Sequence, residues 1–401
     1  MKILLKPFIL FLLIQFFIGC CGKKDNIDNK SSDYTQMAVT GVNNLIKNFW
    51  VTGEGIRPTW GGINIPEEYD DKRGQLWERA TMVFPMYHLY QLNKDPDLHS
   101  KLLFEAARLK SRYEESILTM PGHYYNTCID DCGWNAMMYM MFYDLTGDTW
   151  YVEVTKSLIN NAITHWTDPD DGYLYYCKER HDFKSLYAVG LVMAMLDVYD
   201  VTKEQEWLDK VIFHDNWMVS LFERTDGLYW TNVESSGPQG KNNPNRIQET
   251  GSVSFLAGNQ AMCIIAKRLY DIKKDETYLT RIKKTSLALS TVYNNNGIYL
   301  NDRDAWANGT FMSDFAKMIG ANSEFAFANA DLIQATAKSI VDKDVTADGY
   351  YGGSWQGPAG SGSKWTDAGS VPEQIMTSSN TVHVLVAAAI LNQFKNQKTV
   401  K

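Results

Sequence analysis

The stretch Leu145–Tyr151, LTGDTWY, closes one apolar-periodic segment and opens another, and it recurs along the chain. Leu92–Leu98 reads LNKDPDL, Val201–Trp207 reads VTKEQEW and Ile272–Tyr278 reads IKKDETY. Each copy is an apolar residue, a polar turn containing an acid, then a new apolar or aromatic start, which is a helix stop followed by a capped restart. A second signal follows the return segments. Asp171-Gly172-Tyr173, Asp226-Gly227-Leu228-Tyr229, Asn296-Gly297-Ile298-Tyr299 and Asp348-Gly349-Tyr350 are all glycine turns leading into aromatics. The unit is helix–turn–helix–loop, about 55 residues long.

The segments between these signals carry helical periodicity. Trp134, Met137, Met138, Met141 and Leu145 fall on one face at helical spacing. Leu191–Tyr199 and Ala261–Leu269 are apolar nearly all round and read as inner helices, whereas Tyr278–Val292 carries Lys and Arg on one side and reads as an outer one. About six such hairpins fit between residues 36 and 397. The predicted fold is therefore all-α, an (α/α)6 barrel forming a single domain over 36–397. An open solenoid of hairpins is the alternative, and the long, unequal aromatic loops favour the closed ring.

The 401 residues, 45% of them hydrophobic, can bury a large core without a metal or disulfide. A net charge of −8 repels nucleic acid and anionic membrane surfaces and suits a neutral partner. No cofactor is implied, and a monomer is expected. The 12 Trp and 22 Tyr can fill a core or stack on sugar faces.

The N-terminus has the anatomy of a bacterial export signal: Lys2 and Lys6, an apolar run from Pro7 to Ile18, then Gly19-Cys20. Residues 1–19 are expected to be a lipoprotein signal peptide with Cys20 as the lipidated residue, followed by a polar tether over 20–35. The protein is then exported and lipid-anchored in the cell envelope, on the periplasmic or the cell-surface side of an outer membrane. Beyond Cys20 and Cys21, the remaining Cys128, Cys132, Cys177 and Cys263 lack metal-ligand spacing and are expected to be buried thiols. No metal site is expected.

The segment Tyr124–Trp134, YYNTCIDDCGW, lies at a loop-to-helix junction. Asp130 and Asp131 there are suited to glycosidic cleavage, which needs one carboxylate to attack or assist at the anomeric carbon and another to protonate the leaving oxygen. Neighbouring side chains can reach the roughly 5–5.5 Å separation of a retaining pair, and mutual repulsion would keep one proton in the site. Thr127-Cys128-Ile129-Asp130 also fits a helix-capping pattern, so the pair can be read as a helix start alone. Tyr124, Tyr125 and Trp134 supply sugar-stacking surface around it, and Gly133 permits a close approach.

Asp130-Asp131-Cys132-Gly133-Trp134, with Leu145-Thr146-Gly147-Asp148 after it, resembles the Asp-Asp-x-x-Trp element and following turn of glycoside hydrolase family 76, a family of α-1,6-mannanases on an (α/α)6 barrel. The resemblance extends over nearly the whole chain after the leader. It implies Asp130 as nucleophile and Asp131 as acid/base of a retaining mechanism, with α-mannan as the neutral polysaccharide or oligosaccharide substrate. Phe183-Lys184, Gly258-Asn259-Gln260 and Trp355-Gln356-Gly357-Pro358 are further matches, so Lys184, Asn259, Gln260 and Trp355 are implied in substrate binding. Ser185, Ala261, Cys132 and Asn135 stand where the family commonly has other residues. Two alternatives differ in class: a lipid-anchored glycan-binding protein without catalysis, and an unsaturated-uronyl hydrolase on the same toroid.

Other groups carry less. Asp168-Pro169-Asp170-Asp171 misses EF-hand spacing and reads as an acidic turn. His181, near Lys184, reads as a structural or surface histidine rather than a cleft residue, and Glu249 fits the mouth or a solvated loop equally. The glycines at 352–353 and 360–362 lack the Lys-Ser/Thr of a phosphate cradle.

Overall fold

The computed structural model describes residues 31–57, 59–60, 63–64, 77–119, 128–176, 183–234, 255–301, 307–359 and 374–399. Six outer helices are α1 (Ser31–Phe49), α3 (Pro96–Thr119), α5 (Trp150–Trp166), α7 (Gln205–Phe222), α9 (Glu276–Val292) and α11 (Asn329–Lys343). Six inner helices alternate with them: α2 (Trp77–Asn93), α4 (Ile129–Thr146), α6 (Val189–Thr202), α8 (Leu256–Lys273), α10 (Met312–Ala321) and α12 (Ile375–Thr399). Each inner helix packs on the next around the ring, and α12 returns to pack on α2. An open solenoid leaves its ends apart; here the ring is closed, an (α/α)6 toroid.

The recurring turns do what their chemistry requires. α2, α4, α6 and α8 each end on a left-handed residue, Lys94, Gly147, Lys203 or Lys274, whose N–H donates at 2.7–2.8 Å to the carbonyl of a tyrosine four positions back. In three copies the lysine ammonium also lies over that ring: Lys94 on Tyr90, Lys203 on Tyr199 and Lys274 on Tyr270. A positive charge at a helix C-terminus is favoured by the helix dipole. At the opposite end, Gly172, Gly227, Gly297 and Gly349 all have φ between 76° and 94°, and each turns an outer helix back through a short antiparallel bridge or hairpin. A further hairpin of this kind, Trp50–Val51 with Gly55–Ile56, follows α1.

Burial sorts the helices as expected. Residues 189–196 of α6 and 256–266 of α8 are all buried, and α9 exposes Lys283 and Lys284 while its Arg281 turns inward onto buried Asp215. Ile375–Lys398 is long and apolar enough to cross a membrane, yet its most apolar stretch is wholly buried as an inner helix. Two features differ from the sequence reading. α1 begins at Ser31, inside the stretch read as tether, because Tyr34 packs on the core and carries Lys338 over its ring. Cys128, expected as a thiol, is disulfide-bonded with a partner outside the described residues, while Cys132 and Cys263 are buried free thiols. Cys128 is the extended N-cap of α4 (φ −96°, ψ 170°), so helical spacing from Cys132 does not govern where its sulfur points.

Candidate active site

α4 starts at the acid pair. Ile129 N–H donates to the Tyr176 carbonyl at 2.8 Å, which pins the helix start to the chain that follows the Gly172 turn. Asp131, at the third helical position, accepts from the Cys128 N–H at 3.1 Å and completes a capping box. Asp130 is buried and accepts from the Asp131 N–H at 3.1 Å and from the Tyr176 hydroxyl at 3.3 Å. Capping and a paired-acid site thus coexist. Carboxylate oxygens of the two residues lie within 4.8 Å of each other, and Asp131 is half-buried where Asp130 is covered. The Cys128 sulfur belongs to the same cluster, but in a disulfide it is no thiolate ligand, so two carboxylates are what the cluster offers an ion.

Gly133 sets where this helix start sits. A Cβ there would lie 2.5 Å from the Leu191 backbone nitrogen and 2.7 Å from the Gly190 carbonyl carbon, so α4 and α6 cross in direct backbone contact. The close approach permitted by Gly133 is to α6. Next to it, burial pushes the Cys132 thiol well above its usual range, and the Asp131 and Asp130 charges push the same way. Cys132 therefore stays protonated beside the pair.

Of the residues expected to bind substrate, Tyr124 and Tyr125 lie outside the described residues, as do His181, Glu249, Cys20 and Cys177. The others are buried in the interior. Trp134 is 1% exposed and packs against Trp77, with ring centroids 5.7 Å apart. Lys184 is buried between the Tyr173 and Tyr175 rings and forms ion pairs with Asp168, at 2.8 Å, and Asp171. Burial opposes the Asp168 charge, but Lys184 and the Asp170 N–H outweigh it and hold that carboxyl below its usual range. The tie fixes the turn that delivers Tyr176. Asn259 is fully buried, joining the Tyr229 N–H (2.8 Å) to the Phe255 carbonyl (2.9 Å). Gln260, equally buried, donates to the Met312 sulfur at 3.1 Å. Trp355 is buried too, with its indole N–H on Thr381 Oγ1 at 3.0 Å and its backbone N–H on Asp344 at 2.9 Å. Ser185 caps the short turn Leu186–Ala188, and Ala261 is fully buried.

The aromatics that reach the acids come from elsewhere. Tyr176 touches Asp130 and lies 5.8 Å from the Tyr187 ring, which lies 4.5 Å from that of Phe255. The signal was present as the aromatic run Tyr173–Tyr176 after the glycine turn; which of its rings would meet the acids depends on the turn's geometry.

Fold and site together define a class: an (α/α)6 toroid with an adjacent carboxylate pair at an inner-helix start. Solved structures of that fold are found by superposition. The family 76 α-1,6-mannanase from Salegentibacter sp. HEL1_6 matches with a TM-score of 0.72 at 17% identity, over 90% of this chain and 100% of that one. An inactive variant of the same mannanase, with two consecutive aspartates replaced by asparagine, has been solved with α-1,6-mannotriose. A family 76 mannosidase from Bacteroides thetaiotaomicron matches at 0.65 with 15% identity over 91% and 100% of the two chains, and an unsaturated glucuronyl hydrolase specific for heparin at 0.65 with 14% over 92% and 98%. No family model matches the sequence, and no curated protein is found similar to it. The resemblance to glycoside hydrolase family 76 read from the sequence is thus matched in the fold.

Proposed function

We propose that the protein is a retaining, endo-acting glycoside hydrolase that cleaves α-1,6-linked mannan. The observation that carries this is the Asp130–Asp131 pair at one helix start, with carboxylate oxygens within 4.8 Å. Carboxyl groups this near each other support a retaining mechanism, whose pair is usually about 5–5.5 Å apart. Asp130, fed by the Asp131 N–H and the Tyr176 hydroxyl at a helix N-terminus, is held as an anion and attacks the anomeric carbon. Asp131, the more open of the two, gives its proton to the leaving glycosidic oxygen. The covalent glycosyl-enzyme is then hydrolysed by a water that Asp131 deprotonates. The choice of mannan over another glycan rests on the family resemblance and on the mannotriose-bound neighbour with its two replaced aspartates.

The test is hydrolysis of linear α-1,6-mannan by the purified protein, with the anomer of the first product followed by NMR. Asp130→Asn and Asp131→Asn should each lose about 10³-fold or more while remaining folded. Undiminished cleavage in both would overturn the assignment. Binding without release of reducing ends would identify a glycan-binding protein, and loss of the unsaturated chromophore from a uronyl disaccharide would identify the other hydrolase. Export and anchoring at Cys20 belong to the same proposal, supported by the leader sequence and by the Cys128 disulfide, a bond at home in oxidising compartments. Cys20→Ser should move the protein from the membrane to the soluble fraction.

A further inference from the structure

A cavity of ≈ 450 Å³ lies among the inner helices α2, α4, α6, α8 and α10, with its rim at Asp144, Asp200 and Val201 toward the C-terminal ends of α4 and α6. Along α4 the lining runs from Met137 to Asp144, about 10 to 21 Å from Asp130 at 1.5 Å per residue, and neither Asp130, Asp131 nor Tyr176 lines the cavity. Its volume is in the range of small-molecule sites. Met137, Met140 and Met193 form much of its wall, giving an apolar surface of flexible thioethers that adapts to a ligand's shape.

The charges around it do not balance. Four carboxylates, Asp144, Asp197, Asp200 and Asp314, face two cations, Arg268 and Lys317. Arg268 pairs with Asp197 and Asp200 at 2.7 Å each, and Lys317 with Asp314 at 3.1 Å. Asp144 is held instead by neutral donors, the Tyr87 hydroxyl at 2.8 Å and the Gln91 amide at 2.9 Å. His88 is 2% exposed and lines the same cavity. Lys317 Nζ donates to its Nδ1 at 2.8 Å, which leaves the ring hydrogen on Nε2. That Nε2 has no hydrogen-bond partner; Asp314, the acid facing it, stands 3.6 Å away. Burial, and then the Lys317 charge, lower the His88 pKa and keep the ring neutral. The carboxylates are dispersed over α4, α6 and α10, and they do not gather at metal-ligand spacing.

We propose that this cavity is a second binding site, taking a small organic ammonium ion with an apolar body and an oxygen at its far end. The ammonium meets Asp144, the body lies on the methionine wall, and the oxygen accepts the buried His88 Nε2–H. The inference stands independently of the hydrolase proposal.

Titration of the full-length protein by calorimetry with tyramine, which has all three features, tests it. Phenethylamine lacks the oxygen, and 3-(4-hydroxyphenyl)propionate reverses the charge. Tyramine should saturate one site and bind about tenfold more tightly than phenethylamine, the carboxylate should not bind, and Asp144→Asn should weaken tyramine about tenfold. Asp144 is exposed, so this variant keeps the fold, and Met140→Trp gives a second check by filling the space. The proposal is overturned by any one of three results: no saturation by about 10 mM tyramine, where even a millimolar site fills; equal binding of the carboxylate; or indifference to Asp144→Asn.

Discussion

The two mouths of the toroid treat carboxylates in opposite ways. At the mouth formed by inner-helix N-termini, two acids are adjacent in sequence, close in space and surrounded by backbone N–H and phenol donors. At the other mouth four acids are spread over three helices, and two cations partly neutralise them. Helix dipoles explain the division. N-termini stabilise negative charge, which suits an anionic nucleophile; C-termini favour cations. Chain length divides the same way. Inner helices α2, α4, α6 and α8 pass to their outer partners through two or three residues, whereas the outer helices return through much longer connections. The short turns leave the lower mouth, where the inner helices end, to the helices themselves; the upper mouth is the one that holds the acid pair.

The contrast can be broken most severely at Gly133. Gly133→Val forces side-chain atoms against the α6 backbone, which cannot yield as a side-chain tip would. The expected result is a loss of about 3 kcal/mol in stability, seen as a lower Tm, with hydrolysis abolished because the acid pair is displaced. A thermally unchanged, active variant would mean that the two helices do not cross there. A smaller effect is expected at Tyr176. Tyr176→Phe keeps the ring and removes the hydroxyl that Asp130 accepts from, so kcat should fall about tenfold with KM little changed, equivalent to about 1.4 kcal/mol. A shift confined to KM would assign Tyr176 to sugar binding instead.

The smallest effect lies in the wall of the upper mouth. Burial lifts the Asp344 carboxyl to about 7, against the pull of the Trp355 and Ser354 N–H groups. The folded state therefore keeps a proton that the unfolded chain, with a carboxyl near 3.9, releases. Asp344 contributes its stability below that unfolded value and loses it as pH climbs from about 4 through about 7. Asp344→Asn retains an acceptor for Trp355 and removes the titration, so its Tm relative to the parent should rise between pH 5 and 8. A constant difference across that interval would show that Asp344 does not titrate there.

The sequence disclosed what depends on neighbours a few residues away. Stops, restarts and glycine turns follow from local chemistry, and all four copies of each turn lie where they were read. The acid pair was legible for the same reason, since a helix start is a local event. Burial is not local. Trp134, Lys184, Asn259, Gln260 and Trp355 belong to motifs beside the site, but whether such residues face a ligand or hold the wall depends on packing between elements far apart in sequence. Lys184 illustrates this: its partners Asp168 and Asp171 stood in view as an acidic turn, and only the fold brings the ammonium onto them. The thiol expected at Cys128 is in a disulfide instead, a pairing that local spacing does not reveal.

The contact between α1 and α12 gives the ring an unusual relation to its own chain order. In the five other hairpins a turn carries an inner helix into an outer one, while here the same pairing is made by the first and last described helices. Among the described elements it is the longest-range contact, and contacts of that kind slow folding because the chain's entropy must be surrendered before they form. Linking residue 399 to residue 31 and opening the chain between Lys203 and Glu204 would make that pairing local at the cost of one short turn. The permuted ring would have the same walls and the same two mouths, and it should close faster than the original.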